Sequence, residues 1–230
     1  MVSWISNNIG KIRHGADPVI GPYLRAYAHR PQTGKAWQDL RFVVMDTETT
    51  GLDPSADQIL SIGAIVVQHG AIHVADSLEL SLVSSQVTQV SAIPIHGILA
   101  QENLQGMEEK VALLEFLRYL RADVLVGHHA DFDAAMVESG LRKYYPGFRL
   151  HNWRIDTAQL AMRAEQPDWQ AYRFRAQDYS LDKLCDKYDI RKTDRHTATG
   201  DAYLTSILLL KLLSEMKSQR RLSLRSLLEY

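Results

Sequence analysis

The sequence has little of several features that define whole classes of protein. Its one cysteine, Cys185, excludes an internal disulfide and a zinc site built of cysteines, which fits a reducing compartment. No run approaches the roughly 18 apolar residues needed to span a bilayer, and the first ten residues lack the basic and apolar segments of a signal peptide. We therefore expect a cytoplasmic protein with no membrane partner.

The sequence also has almost no net charge. Its 27 acidic residues nearly balance its 26 Lys and Arg, for a net charge of -1 over 230 residues. This balance excludes tight, nonspecific binding of nucleic acid through bulk charge. The charge is uneven, however: residues 1–40 and 211–230 each carry five basic against two acidic residues, which leaves 16 against 23 in residues 41–210. If the central carboxylates converge, a cation must lie among them, whereas scattered surface acids need none.

Several short catalytic motifs are missing as well. The sequence contains no GxxxxGK[ST], HExxH, GxSxG or CxxC. Nucleotide triphosphatases, zinc proteases of the HExxH type, serine hydrolases and thiol redox enzymes are therefore without support.

What the sequence does contain is an alternation of strand and helix patterns. Three β-rich runs at 41–45, 58–68 and about 72–83, with a turn at His69 and Gly70, predict an antiparallel meander. The apolar run 123–127 is typical of a buried parallel strand. Apolar periodicity and turn signals predict the remaining elements: a strand at 149–155 and helices at 110–120, about 133–143, 157–163, 181–188 and 199–217. This order predicts an α/β fold with a mixed five-stranded sheet flanked by helices.

The first candidate site is the end of the first strand, where Asp46 and Glu48 lie two residues apart. Side chains at that spacing point to the same face of an extended segment. Two neighbouring carboxylates at the end of an apolar strand favour a divalent cation between them. A solvent-exposed strand end with two harmless acids is the alternative.

Two further candidates lie at predicted loop-to-helix junctions. His128, Asp131 and Asp133 follow the apolar strand 123–127, and His196 precedes Asp201 by five residues at the start of the closing helix. Each acid also has a structural explanation, because carboxylates stabilise helix N-termini. Taken singly, these motifs leave both interpretations open.

The joint order of the motifs resembles the DEDDh, or DnaQ-like, family of 3′-to-5′ exonucleases, with similarity to the proofreading epsilon subunit of bacterial DNA polymerase III. The pattern is D-x-E, then F-D, then H-x4-D, and it covers about residues 41–213. The resemblance implies a ribonuclease H-like exonuclease fold over 41–215, with an N-terminal extension at 1–40 and a short basic C-terminal tail at 216–230. His129 departs from the family, which commonly has Asn there, and Asp131 is an extra acid that we expect to be exposed.

The resemblance also implies roles for individual residues. Asp46 would bridge two Mg²⁺ or Mn²⁺ ions, Glu48 and Asp201 would complete the site for one, and Asp133 would hold the other. His196 would be the general base, since an imidazole titrates near neutral pH. Residues that match family positions around the terminal nucleotide are Thr49, Gly51, Leu52 and His96.

The implied function is a metal-dependent exonuclease that releases nucleotides from single-stranded or frayed DNA 3′ ends by two-metal phosphodiester hydrolysis. Aromatic and basic residues of 164–180 are candidates for binding the strand. DNA is favoured over RNA, because the pattern is that of polymerase-associated members. The alternatives are an oligoribonuclease-like or RNA-processing exoribonuclease and a catalytically silent nucleic-acid-binding module. A protein partner could bind the N-terminal extension or the tail, where Leu222 and Leu224 loosely resemble a clamp-binding peptide, although an amphipathic helix is favoured there.

Overall fold

The computed structural model describes residues 17–83, 106–165, 175–219 and 222–228. Within these ranges no helix has the length and apolar character needed to cross a bilayer. The segment 166–174, which holds most of the aromatic and basic residues proposed to bind a strand, lies outside the described residues; Arg175 is described and exposed.

A mixed five-stranded sheet organises the fold, as predicted. Its strands are β1 (Arg41–Thr49), β2 (Ile59–Gln68), β3 (Ala71–Ser81), β4 (Val124–Gly127) and β5 (Arg154–Asp156). The spatial order is β3-β2-β1-β4-β5, with β1, β2 and β3 antiparallel and with β4 parallel to both β1 and β5. His69 and Gly70 form the predicted turn, both with positive φ angles, as two-residue hairpin loops require.

Seven helices surround the sheet in the described ranges. They are α1 (Ile20–Tyr27), α2 (Glu109–Leu120), α3 (Ala130–Tyr144), α4 (Thr157–Glu165), α5 (Leu181–Lys187), α6 (Ala198–Gln219) and α7 (Leu224–Leu228). Short 3-10 helices occur at Trp37–Asp39 and Ala176–Tyr179. The helices predicted from periodicity are all present, within a few residues at their ends.

Strand β1 continues to Thr49, beyond the predicted run 41–45, because it stays paired with β2. Long-range hydrogen bonds set two further boundaries that differ from the prediction. Helix α3 begins at Ala130 rather than near Asp133, since the carboxylate of Asp156 accepts the Ala130 N–H at 3.1 Å. Strand β5 begins at Arg154 rather than near residue 149, because side chains accept the backbone N–H groups of Leu150 and His151. The Leu150 N–H, for example, donates to Glu138 at 3.0 Å.

The sheet separates two hydrophobic cores, and alternate residues of β1 face each one. Phe42 and Val44 pack with helices α4 to α7, whereas Val43 and Met45 pack with α1, α2 and α3. The alternation follows from the period of two in a strand. It places Asp46 and Glu48 on the face that carries α6.

The described parts of the two terminal segments pair with each other. Ala36 and Ser223 form an antiparallel bridge, and the Leu224 N–H donates to the Lys35 carbonyl at 2.9 Å. Leu222 is 3% and Leu224 0% exposed within the α6-side core. A clamp-binding peptide needs these leucines exposed, so the structure favours a core role for both.

Candidate active site

Three carboxylates converge where β1 ends. Asp46, Glu48 and Asp201 each offer an oxygen, and these oxygens all lie within 4.8 Å of one another. The strand supplies Asp46 and Glu48 from one face, and Asp201 comes from the first turn of α6. Part of the acidic excess of the central segment is therefore concentrated at one point.

A glycine in the neighbouring strand lets α6 approach this point. Gly63 of β2 pairs with Asp46 in the sheet. A Cβ atom on Gly63 would lie 2.2 Å from the carbonyl carbon of Ala198 and 2.3 Å from the nitrogen of Thr199. The first turn of α6 thus rests directly on the backbone of β2, which brings Asp201 to the two acids of β1.

Burial and mutual repulsion keep these carboxyls protonated to unusually high pH. Burial, with the charges of Asp133, Asp201 and Glu48, raises the pKa of Asp46 well above its ordinary value. Burial and the charge of Asp201 raise the pKa of Glu48 to about 7. The strand end is therefore an electrostatically strained site rather than a pair of harmless acids.

Of the two acids Asp131 and Asp133, Asp133 is the buried one. It is 3% exposed on α3, and its Oδ1 accepts hydrogen bonds from the backbone N–H of Thr47 at 3.0 Å and from the Thr47 hydroxyl at 2.6 Å. Burial raises its pKa to about 7, and the bonds from Thr47 oppose that rise. Asp131 is exposed, as expected, and pairs with Arg154 at 3.1 Å.

His196 lies on an exposed turn just before α6. Its backbone adopts φ 64°, a left-handed conformation that few non-glycine residues take. Burial raises the pKa of Asp201, and the neighbouring Arg195 and the backbone N–H of His196 oppose that rise. The predicted general base therefore lies close to a predicted ligand, on a residue that is exposed.

The sequence did not indicate that Asp182 contacts the turn before α6. Arg195 donates to Asp201 and also forms two bonds to Asp182, Nε to Oδ1 at 2.9 Å and Nη2 to Oδ2 at 3.2 Å. Asp182 resembles other surface acids of helix α5 in the sequence. No spacing rule links it to a residue 13 positions later.

Three of the four predicted nucleotide-binding residues lie in the described segment that follows Glu48. Thr49 follows Glu48 and donates through its hydroxyl to the Gly51 carbonyl at 2.7 Å. A Cβ atom on Gly51 would lie 2.5 Å from the carboxylate of Asp57, and Leu52 is 84% exposed. His96 lies outside the described residues.

The donor set fits a hard divalent cation. All the converging ligands are carboxylate oxygens, which Mg²⁺ and Mn²⁺ prefer. Asp201 Oδ1 is buried and, among the described residues, has no hydrogen-bond partner. A cation would satisfy that oxygen and relieve the repulsion that raises the pKa of Asp46 and Glu48.

Comparison with known proteins identifies the family of this chain. A family model described as Exonuclease, RNase_T, matches residues 43–209. The chain belongs to this exonuclease family. The match begins in β1 and ends in α6, so it contains Asp46, Glu48, Asp133, His196 and Asp201.

Sequence relatives are polymerases that carry a related segment. The chain is 33% identical over 185 residues to a DNA polymerase III PolC-type protein of Thermotoga maritima, which covers 78% of this chain and 12% of that protein. The corresponding protein of Bacillus subtilis is 31% identical over 175 residues, with 76% and 11% covered. The chain thus spans about an eighth of the length of these relatives, and it carries an exonuclease domain related to theirs.

Solved structures confirm the ribonuclease H-like exonuclease fold. Escherichia coli exonuclease I in complex with a dT13 oligonucleotide matches with a TM-score of 0.63 at 19% identity, over 79% of this chain and 42% of that one. Cell-death related nuclease 4 matches with a TM-score of 0.64 at 11% identity, over 77% and 64%. At these identities the likeness concerns the fold.

Proposed function

We propose that this protein is a metal-dependent 3′-to-5′ exonuclease of the DEDDh type that removes nucleotides from single-stranded or frayed DNA ends. The observation that carries the proposal is the convergence of Asp46, Glu48 and Asp201 within 4.8 Å, in a chain of the exonuclease family. Carboxylates brought together at such a cost in repulsion are typical of a cation site.

Four carboxylates would hold the cations. Asp46, Glu48 and Asp201 form one ligand set, and Asp133, whose charge raises the pKa of Asp46, would extend it to a second ion. Two bound Mg²⁺ or Mn²⁺ ions supply the charge that stabilises the attacking and leaving oxygens of the phosphodiester. Thr47 orients Asp133 through its two hydrogen bonds.

His196 would act as the general base. Water attacks the phosphorus that links the terminal nucleotide to the strand, and the bond from that phosphorus to the 3′ oxygen breaks. The attacking water loses a proton, and the departing 3′ oxygen takes one up from solvent. The exposed imidazole of His196 can take that proton, because its turn leads directly into the helix that carries Asp201. An exposed base can also release the proton to bulk water after each step.

A single strand of DNA is the proposed substrate. The exonuclease I structure holds a dT13 oligonucleotide, and the sequence relatives are DNA polymerases. The exposed side chain of Leu52, beside Thr49 and Gly51, offers an apolar surface for the terminal base. Since the net charge is only -1, we expect these local contacts to matter more than bulk attraction.

The test is digestion of 5′-labelled DNA and RNA oligonucleotides with Mg²⁺, with Mn²⁺ and with EDTA. We expect a ladder of products shortened from the 3′ end that requires a divalent ion, and its loss in Asp201→Asn and His196→Ala. Asp131→Asn, a substitution of an exposed acid, should leave the ladder intact. A ladder that survives both active-site substitutions or the removal of metal would overturn the mechanism, and a ladder on RNA alone would overturn the substrate.

A further inference from the structure

Arg195 is shared between the carboxylate cluster and an acid outside it. Its Nε and Nη2 atoms hold both oxygens of Asp182, at 2.9 and 3.2 Å, and its Nη1 donates to Oδ2 of Asp201. Asp182 therefore occupies the edge of the guanidinium that Nε and Nη2 form. Asp201 contacts the third nitrogen, so the two acids share one positive charge.

The same guanidinium acts on every member of the cluster. Its charge lowers the pKa of Asp46, of Glu48 and of Asp201, against the burial that raises all three. Its side chain is 21% exposed, so solvent screens this attraction only in part. Arg195 is therefore placed as a counterion of the cluster.

The two oxygens of Asp201 have different surroundings as a result. Oδ2 accepts the bond from Arg195, whereas Oδ1 is buried and has no hydrogen-bond partner among the described residues. An arginine paired with Asp201 alone would direct its whole charge to that carboxylate and could bond both of its oxygens, as guanidinium groups commonly do. Asp182 opposes this, because its own negative charge lies against the same guanidinium and holds it by the Nε edge.

We propose that Arg195 is a positioning residue that acts as the internal counterion of the carboxylate cluster, and that Asp182 limits its hold on Asp201 and thereby sets the affinity of the site for a divalent cation. The inference rests on the cation site of the proposed function. In this proposal Arg195 lowers the affinity of the site for a divalent cation, and Asp182 raises it. Loss of Arg195 removes a competing positive charge, whereas loss of Asp182 removes the acid that offsets the charge of Arg195 and so strengthens the hold of Arg195 on Asp201.

Direct binding of Mn²⁺, measured by the electron paramagnetic resonance of the free ion, tests this with the full chain. We expect Arg195→Gln to bind Mn²⁺ about three- to tenfold more tightly and Asp182→Asn to bind it about three- to tenfold more weakly. Arg195→Lys keeps the charge and should return the affinity toward that of the unmodified protein. Lys192→Gln is the matched control, since Lys192 is a cation of the same loop that pairs with Asp186 at 2.6 Å.

The sign of the two effects separates this role from a merely structural one. If Arg195→Gln and Asp182→Asn both weaken Mn²⁺ binding, or if neither changes it, the inference is wrong. A Lys192→Gln effect as large as that of Arg195→Gln would also overturn it, because any nearby cation would then suffice.

A metal-free measurement keeps the inference separate from the proposed function. If the unmodified protein binds no Mn²⁺, the cation site itself is wrong, and the counterion role is then decided by urea unfolding in EDTA. There, Arg195→Gln should lower the urea midpoint less in an Asp201→Asn background than in the unmodified protein, since one partner charge is already gone. Equal shifts in the two backgrounds would refute the counterion role.

Discussion

Gly63 and Ala198 lie so close together that a side chain on the glycine would overlap the backbone of the helix. The added Cβ atom would stand 2.2 Å from the carbonyl carbon of Ala198, well inside any real contact. Because Gly63 pairs with Asp46 across the sheet, this contact fixes the distance between β1 and the first turn of α6. The position of Asp201 in the cluster depends on it.

Gly63→Ala is expected to separate Asp201 from Asp46 and Glu48. The methyl group must push the first turn of α6 away from β2, at a cost of about 1–3 kcal/mol in stability. We expect nuclease activity and Mn²⁺ affinity to fall at least about tenfold, since misplacement of a ligand by 1 Å has effects of this size. Activity assays and Mn²⁺ titration on protein with unchanged circular dichroism provide the measurement.

Gly34→Ala is the control for this substitution. Gly34 has a negative φ angle and no atom within 4 Å of an added Cβ, so the same chemical change should be silent there. Full activity in folded Gly63→Ala protein would show that the close approach does not position Asp201.

Asp131 and Asp133 provide a matched pair of substitutions on one helix. Asp131→Asn removes an exposed ion pair with Arg154 and should change stability by less than about 1 kcal/mol, with activity retained. Asp133→Asn keeps the shape of a buried side chain but removes a proposed cation ligand, and should reduce activity by at least about a hundredfold. Oligonucleotide digestion compares the two; the reverse ranking would show that the ligand was assigned to the wrong acid.

The sequence could predict what local periodicity determines. The period of two in β1 placed Asp46 and Glu48 on one face, and the apolar runs located all five strands. It could not predict contacts made between distant segments. A glycine in a strand indicates only that some backbone approaches it or that the strand bulges, so the partner of Gly63 was not visible.

Contacts between distant segments also explain why the roles of Asp182 and Asp156 were not predicted. The pairing of Asp182 with Arg195 depends on how α5 packs beside the turn that precedes α6. The start of α3 depends on the carboxylate of Asp156, the last residue of β5. Both acids carry structural roles that no residue spacing along the chain reveals.

Asp156 joins two helices through one carboxylate. Its Oδ2 accepts the N–H of Ala130 at 3.1 Å, and its Oδ1 accepts those of Ala158 at 2.8 Å and Gln159 at 3.2 Å. Asp156→Ala leaves the first turns of α3 and α4 without these acceptors and should cost about 2–3 kcal/mol, more than a single cap. Urea unfolding measures the loss, and Asp156→Asn, which keeps one acceptor, should lose roughly half as much. A cost under about 0.5 kcal/mol for Asp156→Ala would contradict the double cap.

The raised pKa values predict an unusual pH dependence of stability in the absence of metal. Glu48 and Asp133 both have a folded-state pKa of about 7, against ordinary values of 4.5 and 3.8. Because the folded protein binds these protons more tightly than the unfolded chain, the stability they contribute is fully present below about pH 4 and is lost as the pH rises through 7.

Urea unfolding in EDTA at about pH 5 and pH 8 measures this loss, and Glu48→Gln isolates one contributor. The unmodified protein should be less stable at the higher pH. Glu48→Gln should lose about 1–2 kcal/mol less over the same interval, after allowance for the solvent that reaches this half-buried carboxyl. Addition of Mg²⁺ or Mn²⁺ at pH 8 should restore stability in the unmodified protein, because a bound cation replaces the lost protons as the source of positive charge. Equal losses in the two proteins would mean that Glu48 is not held at a raised pKa, and the electrostatic case for a cation beside it would fail.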